Sequence, residues 1–147
     1  MDAVHLPYGC SVCLVIFRPV SCRYPIPSCT KVWPAFWSLG ANKEWPNGGE
    51  VDIMEGINLM TNNQMALHTT PGCMQTPGEQ TGATLETDCS TDQGCLVAEK
   101  QPNSYGESFA QAGGGVWAVQ FDDSVISMWF WSVSRQLPSP SVSHECL

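Results

Sequence analysis

Three carboxylates, Glu50, Asp52 and Glu55, stand close together in "WPNGGEVDIMEG" (Trp45–Gly56), within a chain that is only 14% charged. Read as a strand, this stretch places Glu50 and Asp52 on one face and sends Val51 and Ile53 into a core, because successive side chains alternate. Glu55 breaks the count. Its odd offset from Glu50 would turn it toward the apolar side unless a β-bulge near Ile53-Met54 absorbs one residue. With the bulge, all three acids share a surface, and strand steps of ~3.3 Å put the two glutamate Cα atoms about 13 Å apart. Side chains leaning inward can close that gap to the about 5–5.5 Å at which a carboxyl pair cleaves a glycosidic bond with retention. Asp52, between them, can hydrogen-bond one glutamate and, by like-charge repulsion, keep the other protonated near neutral pH.

The plainest alternative is a solvated acidic strand face. The surroundings weigh against it: Trp33, Phe36, Trp37 and Trp45 flank the acids, and aromatic faces beside carboxylates are what stacking on a sugar ring requires, although a single Trp is more often core than platform. A calcium site would need more oxygen ligands at loop spacing than this strand supplies.

The elements that must position these residues read as strands and turns. "VWPAFWSLG" is an aromatic-rich strand, "WPNGG" a turn, and "EVDIM" alternates at period two. "QMALHTT" is a further strand, and residues 71–94, rich in Thr, Gly and Asp, read as one long surface loop with Cys73, Cys89 and Cys95 near its ends. "GGGVWAVQFDDSVISMWFWS" reads as a hairpin, with strands 116–121 and 125–131 about a turn at Asp122-Asp123-Ser124. No segment sustains a 3.6-residue period, and no internal repeat is present. With 43% apolar residues, 13 Gly and 11 Pro in 147 residues, the chain is expected to be all-β, and neither disordered nor a helical bundle. A net charge of −8 repels phosphate backbones and anionic lipid, so no nucleic-acid or membrane partner is expected. No run approaches the roughly 20 apolar residues that span a bilayer.

The residues around the acids resemble glycoside hydrolase family 16. "GEVDIMEG" is similar to the active-site strand of its bulged, laminarinase-like branch, whose signature is Glu-x-Asp-x-x-Glu. "WPAFWSLG" resembles the cleft strand before it, and "NQMALHTTPGC", "NSYGESFAQAGGGVWAV" and "ISMWFWS" resemble successive segments of fungal endo-1,3(4)-β-glucanases. The resemblance runs from about Trp33 to Ser132, with "HLPYGC" as a short upstream piece. It implies a concanavalin A-like β-jelly-roll sandwich. It also implies Glu50 as nucleophile, Glu55 as general acid/base and Asp52 as the assisting carboxylate. Trp37 and Trp45 match positions that contact glucosyl units. His68 matches the histidine beside the acids and is grouped with these binding residues, without a catalytic step. The activity implied is retaining hydrolysis of 1,3- or mixed 1,3/1,4-linked β-glucan, with no cofactor and no catalytic metal, by a monomer.

Departures from the family pattern bear on organisation. The family's catalytic domain is about twice this length, so the sandwich is expected to be incomplete. Residues 1–10 read as an upstream piece of the domain, 33–132 as the partial catalytic domain, and 133–147 as an anomalous tail. Residues 11–32 hold three of the six basic residues and no acid, and they interrupt the family's passage from "PYGC" to "WPAFW". We read them as a retained intron translated in frame: Val12-Cys13 can be encoded by GTATGT and Val133-Ser134 by GTGAGT, both donor-like. The Cys10-x2-Cys13 and Cys22-x6-Cys29 spacings fit a zinc knuckle poorly. Eight cysteines point to an oxidising compartment, with Cys10, Cys73, Cys89 and Cys95 as disulfide candidates and Cys89–Cys95 or Cys73–Cys89 as bridges that would pin the long loop. The parent form is expected to be secreted, although the first residues lack the basic start of a signal peptide. Two rival readings are a truncated or lectin-like sandwich without catalysis, and a cysteine-stapled structural or metal protein.

Overall fold

The computed structural model describes residues 1–8, 32–76, 78–133 and 142–144. Alternating burial along a strand is clearest in the first of its two sheets. In β8 (Ile126–Ser132) the residues Ile126, Met128 and Phe130 are buried while their neighbours are half-exposed, the period-two signature of a sheet packed on one face. β7 (Gly115–Phe121) pairs with β8 along its whole length. The turn between them is closed by Asp122, whose Oδ1 accepts from the Ser124 and Val125 amides. β1 (Asp2–Ala3) and β9 (Val142–His144) complete a four-stranded antiparallel sheet in the order β1-β7-β8-β9.

The second sheet has five antiparallel strands in the order β2-β3-β4-β6-β5. These are β2 (Ala35–Leu39), β3 (Glu50–Glu55), β4 (Gln64–His68), β5 (Ala83–Glu86) and β6 (Cys95–Ala98). Its inward residues Val51, Ile53, Met54, Met65, Leu67 and Val97 meet Trp117, Met128 and Phe130 of the other sheet in one core. Phe109, Trp117 and Phe130 form its aromatic centre, with ring centroids 4.9 to 6.4 Å apart. Aromatic pairs at this spacing add about 0.5–1.5 kcal/mol each beyond their buried area.

Two expectations need correction. Residues 71–94 are not all loop: β5 pairs with β6 at the sheet edge, and Met74 bridges Asp88. Four residues of "ATLE" on an edge strand bury too little to leave an apolar alternation in the sequence. A short helix, α1 (Gly106–Gln111), buries Phe109 against Trp117. At under two turns it is too brief to register a 3.6-residue period.

The expected β-hairpin, the strand at "QMALH" and the aromatic strand at "AFWSL" are all present. The run 11–31, with Cys13, Cys22 and Cys29, lies outside the described residues, as do Cys10 and Cys146. The Cys89–Cys95 disulfide is formed, and the buried Cys73 Sγ lies 3.5 Å from Cys89 Sγ.

Candidate active site

The acids are gathered by the bulge that their spacing requires. Asp52 stands opposite Ala66 and Glu55 opposite Gln64, so three steps on β3 match two on β4. The β2 side agrees: Phe36 faces Met54 and Trp37 faces Asp52, leaving Ile53 as the extra residue. Ile53 and Met54 both turn into the core, and Glu50, Asp52 and Glu55 share the outer face.

That face is furnished from β4. His68 is the cross-strand partner of Glu50. Ala66, opposite Asp52, is small, and Asp52 reaches diagonally to His68, with Oδ2 3.3 Å from Nε2. Asp52 is only 2% exposed. Each glutamate is held by a different indole: Trp45 Nε1 donates to Glu50 Oε2 at 2.8 Å, and Trp33 Nε1 donates to Glu55 Oε1 at 2.8 Å. Trp45 also lies against the His68 ring, centroids 5.7 Å apart.

Glu50 and Glu55 open into one groove of about 420 Å³, lined by Trp33, Trp45, Ile57, Gln64, His68, Asp92, Gln93 and Leu96. A more apolar groove of about 490 Å³, between Leu39 and the Phe121–Ile126 turn, contains none of the three acids.

Electrostatics act on Glu55 and His68. Glu55 is pushed above the ordinary carboxylate range, first by burial and then by the charge of Asp52, with Glu50 adding a smaller push. The Trp33 hydrogen bond and His68 oppose the rise without cancelling it. His68 is raised as well, chiefly by its bond to Asp52, against the contrary effect of burial. A carboxyl raised by burial beside a second carboxylate is the arrangement that suits a proton donor. Ligand atoms of Glu50, Asp52 and His68 lie within 4.8 Å of one another, a spacing a divalent ion could bridge. The same atoms are engaged within the site, His68 Nε2 with Asp52 Oδ2 and Glu50 Oε2 with Trp45 Nε1.

Of the sequence-derived site residues, Glu50, Asp52, Glu55, Trp45 and His68 come together. Trp37 shares the acid face, opposite Asp52 and half-exposed, but lies outside the groove lining. Trp33, one of the flanking aromatics, bonds Glu55 and belongs to the site although sequence does not single it out; its place two residues ahead of Ala35, the partner of Glu55, is the signal that marks it. Asp92 and Gln93 enter from the loop closed by Cys89–Cys95.

Gly94 ends that loop at φ +65°, and a Cβ there would sit 2.6 Å from the Leu67 carbonyl oxygen and 3.0 Å from His68 Nδ1. Gly94→Ala should therefore cost about 1–3 kcal/mol of stability. A urea midpoint unchanged from wild type would show that the loop is free to move off His68.

A bulged strand bearing three acids, set in the open face of a two-sheet antiparallel sandwich and walled by tryptophan, defines the class of carbohydrate-active β-sandwiches. Within that class the chain belongs to glycoside hydrolase family 16: the family model described as "XgeA-like, catalytic GH16 domain" matches residues 21–145. A relative from Schizosaccharomyces pombe named "probable glycosidase" is 38% identical over 151 residues, covering 97% of this chain and 30% of that protein. A "probable endo-1,3(4)-beta-glucanase" of Aspergillus fumigatus is 41% identical over 115 residues, covering 76% of this chain and 17% of that protein.

Among solved structures, laminarinase 16A of Phanerochaete chrysosporium, with β-glucans in its donor and acceptor sites, matches with a TM-score of 0.77 and 31% identity, covering 98% of this chain and 49% of that one. An elongating family 16 β-1,3-glucosyltransferase matches with a TM-score of 0.71 and 37% identity, covering 81% of this chain and 44% of that one. The chain thus spans half or less of the length of these relatives. The family and the jelly-roll sandwich expected from sequence are borne out.

Proposed function

We propose that this chain carries the catalytic strand of a retaining endo-β-glucanase acting on 1,3- or mixed 1,3/1,4-linked β-glucan. The observation that carries the reading is the pairing of Glu50 and Glu55 in one groove, each carboxylate held by its own indole, with Glu55 raised by its surroundings. Glu55 protonates the departing glycosidic oxygen while Glu50 attacks the anomeric carbon and forms a glycosyl-enzyme. Glu55, now ionised, deprotonates water, which displaces Glu50 and returns the original configuration. Asp52 keeps Glu55 protonated until the first step and holds His68 in place. Trp45 and Trp33 wall the groove as stacking faces for glucosyl rings, with Trp37 farther along the same face.

No cofactor enters the reaction. The substrate is a neutral β-glucan, the protein works as a monomer, and its parent form acts outside the cell. The Cys89–Cys95 disulfide supports the last point. Among the described residues no helix is long and apolar enough to cross a membrane. The reading takes 33–132 as the catalytic portion, 1–10 as an upstream piece of it, 11–32 as an insertion and 133–147 as a tail, into both of which the family match over 21–145 extends.

The test is the anomeric form of the first products. Laminarin digested in an NMR tube should show β-anomer signals first, with α appearing only by mutarotation; early α-anomer would overturn double displacement. A second reading is favoured by β2, whose five residues are all exposed and which, among the described residues, pairs only with β3. It is a β-glucan-binding sandwich without turnover. Laminari-oligosaccharide binding with no release of reducing ends would establish it.

A further inference from the structure

A β-bulge leaves backbone groups out of register, and this one lies beside the proposed acid/base. Between Asp52 and Glu55 the β3–β4 ladder skips a residue, so the polar groups flanking Met54 need partners from elsewhere. The structure gives both to one side chain. Asn63 Nδ2 donates to the Ile53 carbonyl oxygen at 3.1 Å, and Asn63 Oδ1 accepts from the Glu55 amide at 2.9 Å. The two contacts fix the orientation of the amide, since the carbonyl needs a donor and the N–H an acceptor.

We propose that Asn63 is a positioning residue that locks the β3 bulge and so aims Glu55 into the groove. The proposal rests on the role given to Glu55 above. Asn63 is not among the residues that line the groove; it acts on Glu55 through the backbone.

Three features fit this role better than simple core filling. Asn63 is 0% exposed, so neither group it bonds has water to fall back on. It immediately precedes Gln64, the cross-strand partner of Glu55, so the clamp lies at the end of the bulge where register resumes. It is itself anchored from outside the sheet: its amide donates to Ser104 Oγ at 3.0 Å, and its carbonyl accepts from the Glu99 amide at 2.9 Å. Asn62 Nδ2 donates to the Glu99 carbonyl at 2.9 Å, tying the same segment a second time. The segment between β6 and α1, remote in sequence from the acids, thereby sets the angle at which Glu55 leaves β3.

A flat amide with one donor edge and one acceptor edge suits this double contact. Leucine would fill the volume and satisfy neither group. Aspartate, when ionised, would accept from Glu55 but repel the Ile53 carbonyl. When protonated it would reproduce both bonds.

The experiment compares wild type, N63A and N63D on laminarin, alongside amide hydrogen exchange at Glu55. In wild type, the Glu55 amide should exchange as slowly as those of Met65 and Val97 in the same sheet. N63A should lose about 10- to 100-fold in kcat with KM within twofold, and its Glu55 amide should exchange faster. Its basic pH limb should move to lower pH, because a loosened Glu55 escapes the burial that raises it, while Asp52, Glu50, His68 and Trp33 still face it. N63D should regain activity as the pH falls, which mere loss of packing would not produce.

A Glu55 amide that exchanges freely in wild type overturns the proposal, and that measurement holds even if both variants fail to fold. So does N63A with kcat within twofold of wild type and an unmoved pH limb. Wild type that hydrolyses no laminarin while its Glu55 amide stays protected overturns the glucanase reading and leaves the clamp standing.

Discussion

Glu50→Gln should lower kcat on laminarin by about three orders of magnitude or more, the scale on which removal of a covalent nucleophile acts. The substitution is chosen to leave the site otherwise intact. Glutamine keeps an oxygen that can accept from Trp45 Nε1, so the indole stays where the native bond of 2.8 Å holds it, and the groove keeps its shape. An amide cannot attack the anomeric carbon as a carboxylate does. KM should therefore change little while kcat collapses, the pattern of an interaction needed only in the transition state. Chemical rescue sharpens the result. With Glu50→Gly, azide can occupy the vacated space and attack from the nucleophile's side, and the product should be an α-glycosyl azide of inverted configuration. A Glu50→Gln protein within tenfold of wild type would remove Glu50 from the reaction and the double-displacement reading with it.

How far the sequence announces this site depends on what kind of signal each residue leaves. The bulge was legible because it disturbs a periodicity. Two acids two apart and a third at an odd offset cannot share a strand face without an extra residue, and the register skips at Ile53 as required. The core was legible for the same reason, since Ile126, Met128 and Phe130 repeat at period two. β5 and α1 were not, because four and six residues are too few for either period to stand out. Least legible were residues whose meaning lies in a partner fixed by the tertiary fold. Trp33 finds Glu55 22 positions away, Asn63 finds Ile53 and Glu55 across a strand connection, and Asp92 reaches the groove only through a loop tied by a disulfide. None of these belongs to a local pattern. Each becomes visible once register is known.

Glu55→Gln should separate the two half-reactions. On laminarin, whose leaving group is a sugar hydroxyl that must be protonated, losing the acid should lower kcat by about 10²–10⁴-fold. On a dinitrophenyl β-glucoside-type substrate the leaving group departs without help, so the first step should persist and the glycosyl-enzyme should accumulate as a burst. Azide should then accelerate turnover, since it needs no general base.

The pH dependence follows from the sign of the Glu55 shift. A carboxyl raised by burial and by Asp52 stays protonated to higher pH, so the basic limb of kcat/KM in wild type should lie above the ordinary carboxylate range and should vanish in the variant on the activated substrate. The same shift makes a stability statement. A carboxyl that binds its proton more tightly folded than unfolded supports the fold below its unfolded pKa and loses that support as the pH rises through its folded pKa. Glu55→Gln, which keeps an acceptor for Trp33 Nε1, should thus raise the urea midpoint at neutral pH more than at acid pH. A variant equally stabilised at both, or one retaining the basic limb, would mean that another group supplies the proton.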